Sequence, residues 1–105
     1  MIITGGENVY PIEVESVIAD YPGVSQVAVI GVPDPVWGEA VKAVVIAAPG
    51  QMIEPLDLMA FARDRLAGYK CPKSIDIANA LPLGATGKIL KRELRNQYAQ
   101  QVSTS

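Results

Sequence analysis

The sequence of 105 residues has no histidine and only one cysteine. Without histidine, neither a Ser-His-Asp nor a Cys-His catalytic arrangement is possible. Since Cys71 has no second thiol to pair with, an internal disulfide is excluded, and a structural zinc site lacks its usual ligands. We therefore expect no metal site. Any chemistry must come from lysine, arginine, carboxylates or backbone amides.

Long runs of one residue class are also missing. No apolar stretch approaches the roughly 20 residues that span a bilayer. The net charge is -2 and the lysines and arginines form no long run, so nucleic acid is not an expected partner. Residues 1–4 have neither a basic leader nor a small-residue cleavage site, and a lone cysteine fits a reducing compartment. These features predict a cytoplasmic protein without a transmembrane segment.

What is present indicates one globular domain over residues 1–105, because half of the residues are apolar and 19% are charged. Valine-rich and alternating patterns predict strands at residues 24–32, 40–48 and 74–78. Helices are predicted to begin near Pro11, Pro55 and Ile89, with Gly68 as the C-terminal cap of the second. The spacing of apolar residues predicts one buried face on the first helix (Val14, Val17, Ile18, Tyr21) and one apolar side on the last (Leu90, Leu94, Tyr98). The predicted fold is α+β: a small three-stranded sheet with packed helices and an N-terminal β-hairpin.

Lys88 is the first candidate functional residue. Pro82, Gly84 and Gly87 keep the preceding segment irregular, so the lysine is expected at a junction between a loop and the last helix. A lysine ammonium there is suited to neutralising phosphate or carboxylate oxygens. The spacing is not that of a P-loop, because Pro82 and Ile89 replace its required residues. The alternative is an ordinary solvated lysine.

Gly5 and Gly6 form the second candidate. Two adjacent glycines permit positive φ angles and expose bare backbone, against which an extended ligand or another chain can lie. Glu7 adds a polar group next to them. The alternative is a plain hairpin turn.

Aromatic and cationic residues form the remaining candidates. Trp37 lies between two predicted strands and is suited to stacking on a flat ring, although a lone tryptophan commonly covers the edge of a core. Tyr69, Lys70 and Lys73 combine an aromatic ring with two cations, a composition suited to a nucleotide, but also found in simple turns. Cys71 has no activating histidine, and we interpret it as a packing residue.

The order and spacing of these segments resemble the C-terminal domain, or lid, of adenylate-forming enzymes, most closely the fatty-acid and aryl-acid acyl-CoA synthetases. The resemblance covers nearly the whole chain. It is carried by GGENVYPIEVE at 5–15, GVPDPVWGE at 31–39, YKCPK at 69–73 and PLGATGKILKREL at 82–94.

The resemblance implies two roles for a domain that alternates between two poses. In one pose Lys88 aids formation of the acyl-adenylate from ATP and the acid, with Mg²⁺ and ATP held mainly by an N-terminal domain. In the other, Gly5, Gly6 and Glu7 line the channel for the pantetheine arm of coenzyme A. Contacts to the CoA nucleotide are implied for the aromatic and cationic residues Trp37, Tyr69, Lys70 and Lys73.

The N-terminal domain that such enzymes require is absent from this sequence, so the implied partner is that domain of the same enzyme. The isolated chain is expected to be inactive, and the acid substrate is not predicted. Two alternatives stay open: a free-standing α+β binding or interaction module, and the lid of an enzyme that loads a carrier protein.

Overall fold

The computed structural model describes the backbone of residues 1–103 and the side chains of residues 1–98. Its elements follow in the order β1 (Ile2–Thr4), β2 (Glu7–Val9), α1 (Pro11–Ala19), β3 (Val24–Asp34), β4 (Gly38–Ala47), α2 (Pro55–Arg63), a 3-10 turn (Gly68–Lys70), β5 (Ser74–Ala78) and α3 (Lys91–Ser103). The predicted α+β class is confirmed. No helix within these residues combines the length and the apolar character needed to cross a membrane.

The five strands form one mixed sheet rather than the predicted three-stranded sheet. β4 is central: β3 runs antiparallel along one edge, and β5 runs parallel along the other. The β1–β2 hairpin joins the second edge through the pair Thr4 and Gly38. The predicted N-terminal hairpin is present, but the prediction of three strands in the sheet is wrong, because β4 begins at Gly38, earlier than expected, and so extends alongside β1.

The sheet lies between two layers because alternate side chains of a strand point to opposite faces. One face carries the first hydrophobic cluster, in which Val29 and Val45 pack with α1 and α2. The other face carries the second cluster, in which Ile30 and Val44 pack with Leu81 and with Leu94 of α3. Within α1, the predicted buried face is confirmed, and it comprises Val14, Val17, Ile18 and the following Tyr21.

Two predicted helix boundaries are also wrong. Helix α3 begins at Lys91 rather than Ile89, since Ile89 forms an isolated bridge with Leu83. Leu90, expected on the buried side of that helix, precedes it and is 40% exposed. Gly68 opens the 3-10 turn instead of capping α2, which ends at Arg63, and it lacks the positive φ of a left-handed cap.

Candidate functional site

The Gly5–Gly6 turn connects β1 and β2, and both glycines have positive φ angles, 56° and 82°. The Gly5 N–H donates to the carbonyl of Trp37 at 2.9 Å. A β-carbon on Gly5 would lie 2.7 Å from Cε3 of the Trp37 ring, whereas one on Gly6 would meet no atom within 4 Å. Gly5 thus lets the indole pack against the backbone, and Gly6 leaves that backbone open to a ligand.

Trp37 lies in the tight connection between β3 and β4. The Oδ1 atom of Asp34 accepts hydrogen bonds from the N–H groups of Val36 and Trp37, both at 2.9 Å. This carboxylate fixes the turn and therefore the direction of the indole. Trp37 as a residue remains 47% exposed, and the ammonium of Lys73 lies 4.9 Å from the ring centroid, within the range of a cation–π contact.

These residues border a surface cleft of about 290 Å³, which we call the cleft. It is lined by Thr4, Gly5, Glu7, Trp37, Gly68, Tyr69 and Lys73. Three segments far apart in sequence thus meet: the β1–β2 turn, the β3–β4 turn and the 3-10 turn. The structure brings Gly5, Glu7, Trp37, Tyr69 and Lys73 together, whereas Gly6, Lys70 and Lys88 do not line the cleft.

Lys70 is engaged by a carboxylate. Its Nζ atom lies 3.0 Å from Oε1 and 3.1 Å from Oε2 of Glu13 on α1. The hydrogen bond to Glu13 raises the pKa of the Lys70 ammonium above its usual value. A phosphate would compete with this carboxylate for the ammonium. The predicted contact of Lys70 with a nucleotide stays a prediction.

A second depression, which we call the bowl, has a volume of about 470 Å³ and is lined by Met59, Arg63, Leu66, Gly68, Cys71, Pro72 and Lys73. It shares Gly68 and Lys73 with the cleft, so the two form one continuous surface. Arg63 and Lys73 form no ion pair with the side chains of residues 1–98. These cations are therefore available to an anionic group at that end of the cleft.

Cys71 is buried and lines the bowl, with its Sγ atom 3.6 Å from the carbonyl oxygen of Ala67. Burial raises the pKa of the thiol, although the positive charges of Arg63 and Lys73 oppose the shift. A thiol held protonated is a poor nucleophile. This agrees with the interpretation of Cys71 as a packing residue.

Lys88 lies on a compact hairpin, residues 82–90, which we call the Lys88 hairpin. Its backbone is closed by hydrogen bonds from Gly84 N to Lys88 O at 2.8 Å, from Gly87 N to Gly84 O at 2.9 Å, and from Leu90 N to Pro82 O at 2.8 Å. The Lys88 side chain is exposed and forms no ion pair within residues 1–98. The lysine therefore has a fixed base and a free ammonium.

The cleft and the Lys88 hairpin adjoin different faces of the sheet. Cys71, next to the cleft, belongs to the first hydrophobic cluster. Leu81 and Leu94, which flank the Lys88 hairpin, belong to the second. The two candidate sites are thus separate surfaces of one domain, held in fixed relation by the sheet between them.

Sequence reasoning missed three contributors to this surface. Thr4 lines the cleft, and its hydroxyl is buried without a hydrogen-bond partner among the described residues. Asp34 holds the Trp37 turn, and its position before a proline was a detectable turn signal. Arg63 belongs to the bowl, and only the tertiary fold shows its proximity to Lys73. Within residues 1–98, no three His, Cys, Asp or Glu side chains cluster as metal ligands.

Comparison with known families finds a match of residues 13–88 to the model of the AMP-binding enzyme C-terminal domain. Among curated proteins, a feruloyl-CoA synthase of Amycolatopsis sp. is 56% identical over 98 residues, covering 93% of this chain and 20% of that protein. The long-chain-fatty-acid–CoA ligase FadD13 of Mycobacterium tuberculosis is 53% identical over 102 residues, covering 97% of this chain and 20% of that protein. The chain thus spans about a fifth of the length of these relatives.

Solved structures give the same correspondence. A Mycobacterium tuberculosis fatty acyl CoA synthetase superposes with a TM-score of 0.89 at 52% identity, covering 96% of this chain and 20% of that one. ATP-bound MatB from Rhodopseudomonas palustris superposes with a TM-score of 0.90 at 42% identity, covering 92% of this chain and 19% of that one. The matched part is one domain of a larger chain in both cases.

Proposed function

The chain belongs to the family of AMP-binding enzyme C-terminal domains, and we propose that residues 1–105 form the mobile lid of an ATP-dependent, AMP-forming acyl-CoA synthetase. The observation that carries this proposal is the geometry of its two surfaces. A lysine that forms no ion pair with the side chains of residues 1–98 projects from a closed hairpin on one side, and a glycine-rich aromatic cleft lies on another. A lid that serves two half-reactions in turn needs two such surfaces. The supporting relatives are CoA ligases of about five times the length.

Lys88 is the proposed adenylation residue. Its exposed ammonium extends from a base that hydrogen bonds hold in place. In the enzyme it bridges an oxygen of the acid's carboxylate and the α-phosphate of ATP while pyrophosphate leaves. This contact strengthens as negative charge shifts during the reaction, which is how a fixed cation lowers a barrier. ATP and Mg²⁺ are bound mainly by the N-terminal domain in this proposal.

The cleft is the proposed site for coenzyme A in the second half-reaction. Gly6 does not line the cleft itself, but it lies between Gly5 and Glu7, which do, and its open backbone borders the pantetheine channel in this proposal. Trp37 and Tyr69 present exposed rings for the nucleotide. The cations Lys73 and Arg63 face the adjoining bowl, where a phosphate group can be neutralised. The residues present thus fit an extended ligand that is narrow at one end and anionic at the other.

The first test separates the two half-reactions in the full-length enzyme that contains this domain. Lys88→Ala is expected to lower the rate of acyl-adenylate formation by about 10²- to 10³-fold, because the fixed cation is lost. Thioester formation from supplied acyl-adenylate is expected to survive. Arg92→Ala, which removes an exposed cation of the same segment, is the matched control and should change neither rate. Equal losses in both half-reactions with Lys88→Ala would contradict the assignment.

Gly6→Ile is expected to give the opposite pattern, with thioester formation lost and adenylation retained, since a branched side chain would block the channel. The substitution also strains a residue with positive φ. Gly50→Ile controls for that strain, because Gly50 has a φ of 77° and equally open surroundings in another loop. Normal thioester formation by Gly6→Ile would exclude the channel.

Two other functions remain to be distinguished. A fatty acid–[acyl-carrier-protein] ligase, ScoC of Streptomyces coeruleorubidus, is 46% identical over 97 residues, which favours a carrier protein as a second candidate acceptor. Comparing free CoA with a pantetheinylated carrier protein as acceptor decides between the two. The isolated chain should catalyse neither half-reaction in either of the remaining cases, so the gene distinguishes them. An adenylating domain encoded upstream in the same reading frame favours a lid, and its absence favours a free-standing binding module.

A further inference from the structure

The attachment of the Lys88 hairpin to the rest of the domain identifies a residue outside both candidate sites. The hairpin enters from Leu81, which is buried in the second hydrophobic cluster. It leaves at Lys91, the first residue of α3. The backbone of the hairpin is closed on itself, and Ile89 near its end packs against the same cluster as Leu81. The orientation of the hairpin therefore depends on this apolar contact and on the two connections.

At the exit, a carboxylate holds the chain. The Nζ atom of Lys91 lies 2.7 Å from Oε2 of Glu15 on α1. The same oxygen accepts a hydrogen bond from the backbone N–H of Val29 on β3 at 2.9 Å. Glu15 therefore joins α1, β3 and the start of α3 through one atom. The side chains of Lys91 and Glu15 are 33% and 20% exposed, so solvent screens this pair less than a fully exposed one.

We propose that Glu15 is a positioning residue for Lys88. Acting through Lys91, its carboxylate fixes the point at which the Lys88 hairpin meets α3, and thus the direction of the Lys88 side chain. This inference rests on the proposed adenylation role of Lys88. Small errors in the placement of a reacting group have large effects on rate, so a pair of modest strength suffices for a measurable effect.

The chain offers a matched control on the same helix. Glu13 also lies on α1 and also pairs with a lysine, Lys70, but that pair joins α1 to the 3-10 turn and not to the Lys88 hairpin. Glu15→Gln and Glu13→Gln thus remove the same charge from the same helix. Glutamine at position 15 retains an oxygen that can accept the Val29 N–H, so the substitution isolates the contact with Lys91.

The kinetic test uses the full-length enzyme. Glu15→Gln is expected to lower kcat for acyl-adenylate formation by about tenfold, with KM for ATP and acid and the rate of thioester formation unchanged. Glu13→Gln should leave adenylate formation unchanged. Lys91→Met should lower kcat for adenylate formation as much as Glu15→Gln does, and the double variant should be no slower than either single variant. Lys91→Arg keeps the positive charge and should retain the wild-type rate.

The inference is overturned if Glu15→Gln has no effect on adenylation, if Glu13→Gln lowers it equally, or if the effects of Glu15→Gln and Lys91→Met add. Thermal unfolding of each variant identifies any loss of rate that follows from unfolding.

A second measurement is independent of the proposed function. In the 105-residue chain, Glu15→Gln should accelerate hydrogen exchange of the Leu90 and Gly84 amides by about two- to fivefold, as expected for loss of a partly exposed pair. Unchanged exchange overturns the inference. If Lys88→Ala leaves adenylation intact while Glu15→Gln accelerates hydrogen exchange, the function proposed for Lys88 fails. The positioning of the Lys88 hairpin by Glu15 then still stands.

Discussion

Gly5 and Gly6 are neighbours with positive φ angles, yet their surroundings differ. Alanine at either position should cost about 1 kcal/mol in the free energy of unfolding, because L-residues disfavour this backbone conformation. Gly5→Ala should cost about 1–3 kcal/mol more, since its β-carbon would overlap the Trp37 ring. Urea denaturation measures the two losses, and a shift in Trp37 fluorescence should accompany Gly5→Ala alone. Equal losses and unchanged fluorescence would show that the indole does not depend on Gly5.

At this scale the sequence indicates which residue types matter but not which atoms meet. The glycine pair and Trp37 were both recognisable as candidates. Their contact depends on strand pairing across the sheet, for which neither segment carries a local signal. Thr4 is a stronger example, because a threonine in a short strand is ordinary, and only the fold shows its hydroxyl buried without a partner among the described residues.

Helix α3 contacts the sheet through a cluster of polar residues around Tyr98. The ammonium of Lys42 lies 4.4 Å from the centroid of the Tyr98 ring and 3.3 Å from Oδ2 of Asp76 on β5. Burial, followed by the nearby Asp76 carboxylate, raises the pKa of Tyr98 to about 12. The folded domain thus holds the phenolic proton more tightly than the unfolded chain does.

The sign of the pH dependence follows from this raised pKa. The stability that Tyr98 contributes is fully present below its unfolded pKa of about 10, and it is lost as the pH rises towards 12. Because the side chain is partly exposed, we expect a loss of about 1 kcal/mol rather than the full value of the shift. Tyr98→Phe should lack this decrease. Urea denaturation of both proteins between pH 9 and pH 12 tests the difference, and parallel curves would contradict it.

Elements were predictable where one local pattern defines them. The apolar spacing of α1 predicted both the type of element and its buried side, and the valines of β3 and β4 predicted their type. The start of α3 was not predictable in this way, because the backbone up to Leu90 forms the hydrogen bonds that close the Lys88 hairpin. The pair of Glu15 and Lys91 was equally hidden, since it joins helices on opposite sides of the sheet.

In the whole domain, the sheet separates the two candidate sites and also connects them. The cleft adjoins the first hydrophobic cluster, and the Lys88 hairpin is flanked by residues of the second. Both clusters share β3 and β4, whose neighbouring residues alternate between them. A domain built in this way can present either surface to a partner by rotating as a rigid body, without internal rearrangement.

The shared sheet predicts that both layers unfold together. Val44 and Val45 are adjacent on β4 and fully buried, but they belong to the second and the first cluster respectively. Val44→Ala and Val45→Ala should each lower the free energy of unfolding by about 2 kcal/mol through loss of buried methyl groups. Val36→Ala, at a site that is 78% exposed, should change it by less than about 0.5 kcal/mol.

Trp37 fluorescence and far-UV circular dichroism should report coincident urea transitions in every variant, because neither layer can lose its packing while the other keeps the common strands. A separate early transition in Val44→Ala would show that α3 and the Lys88 hairpin detach on their own, and the two surfaces would then no longer be held in fixed relation.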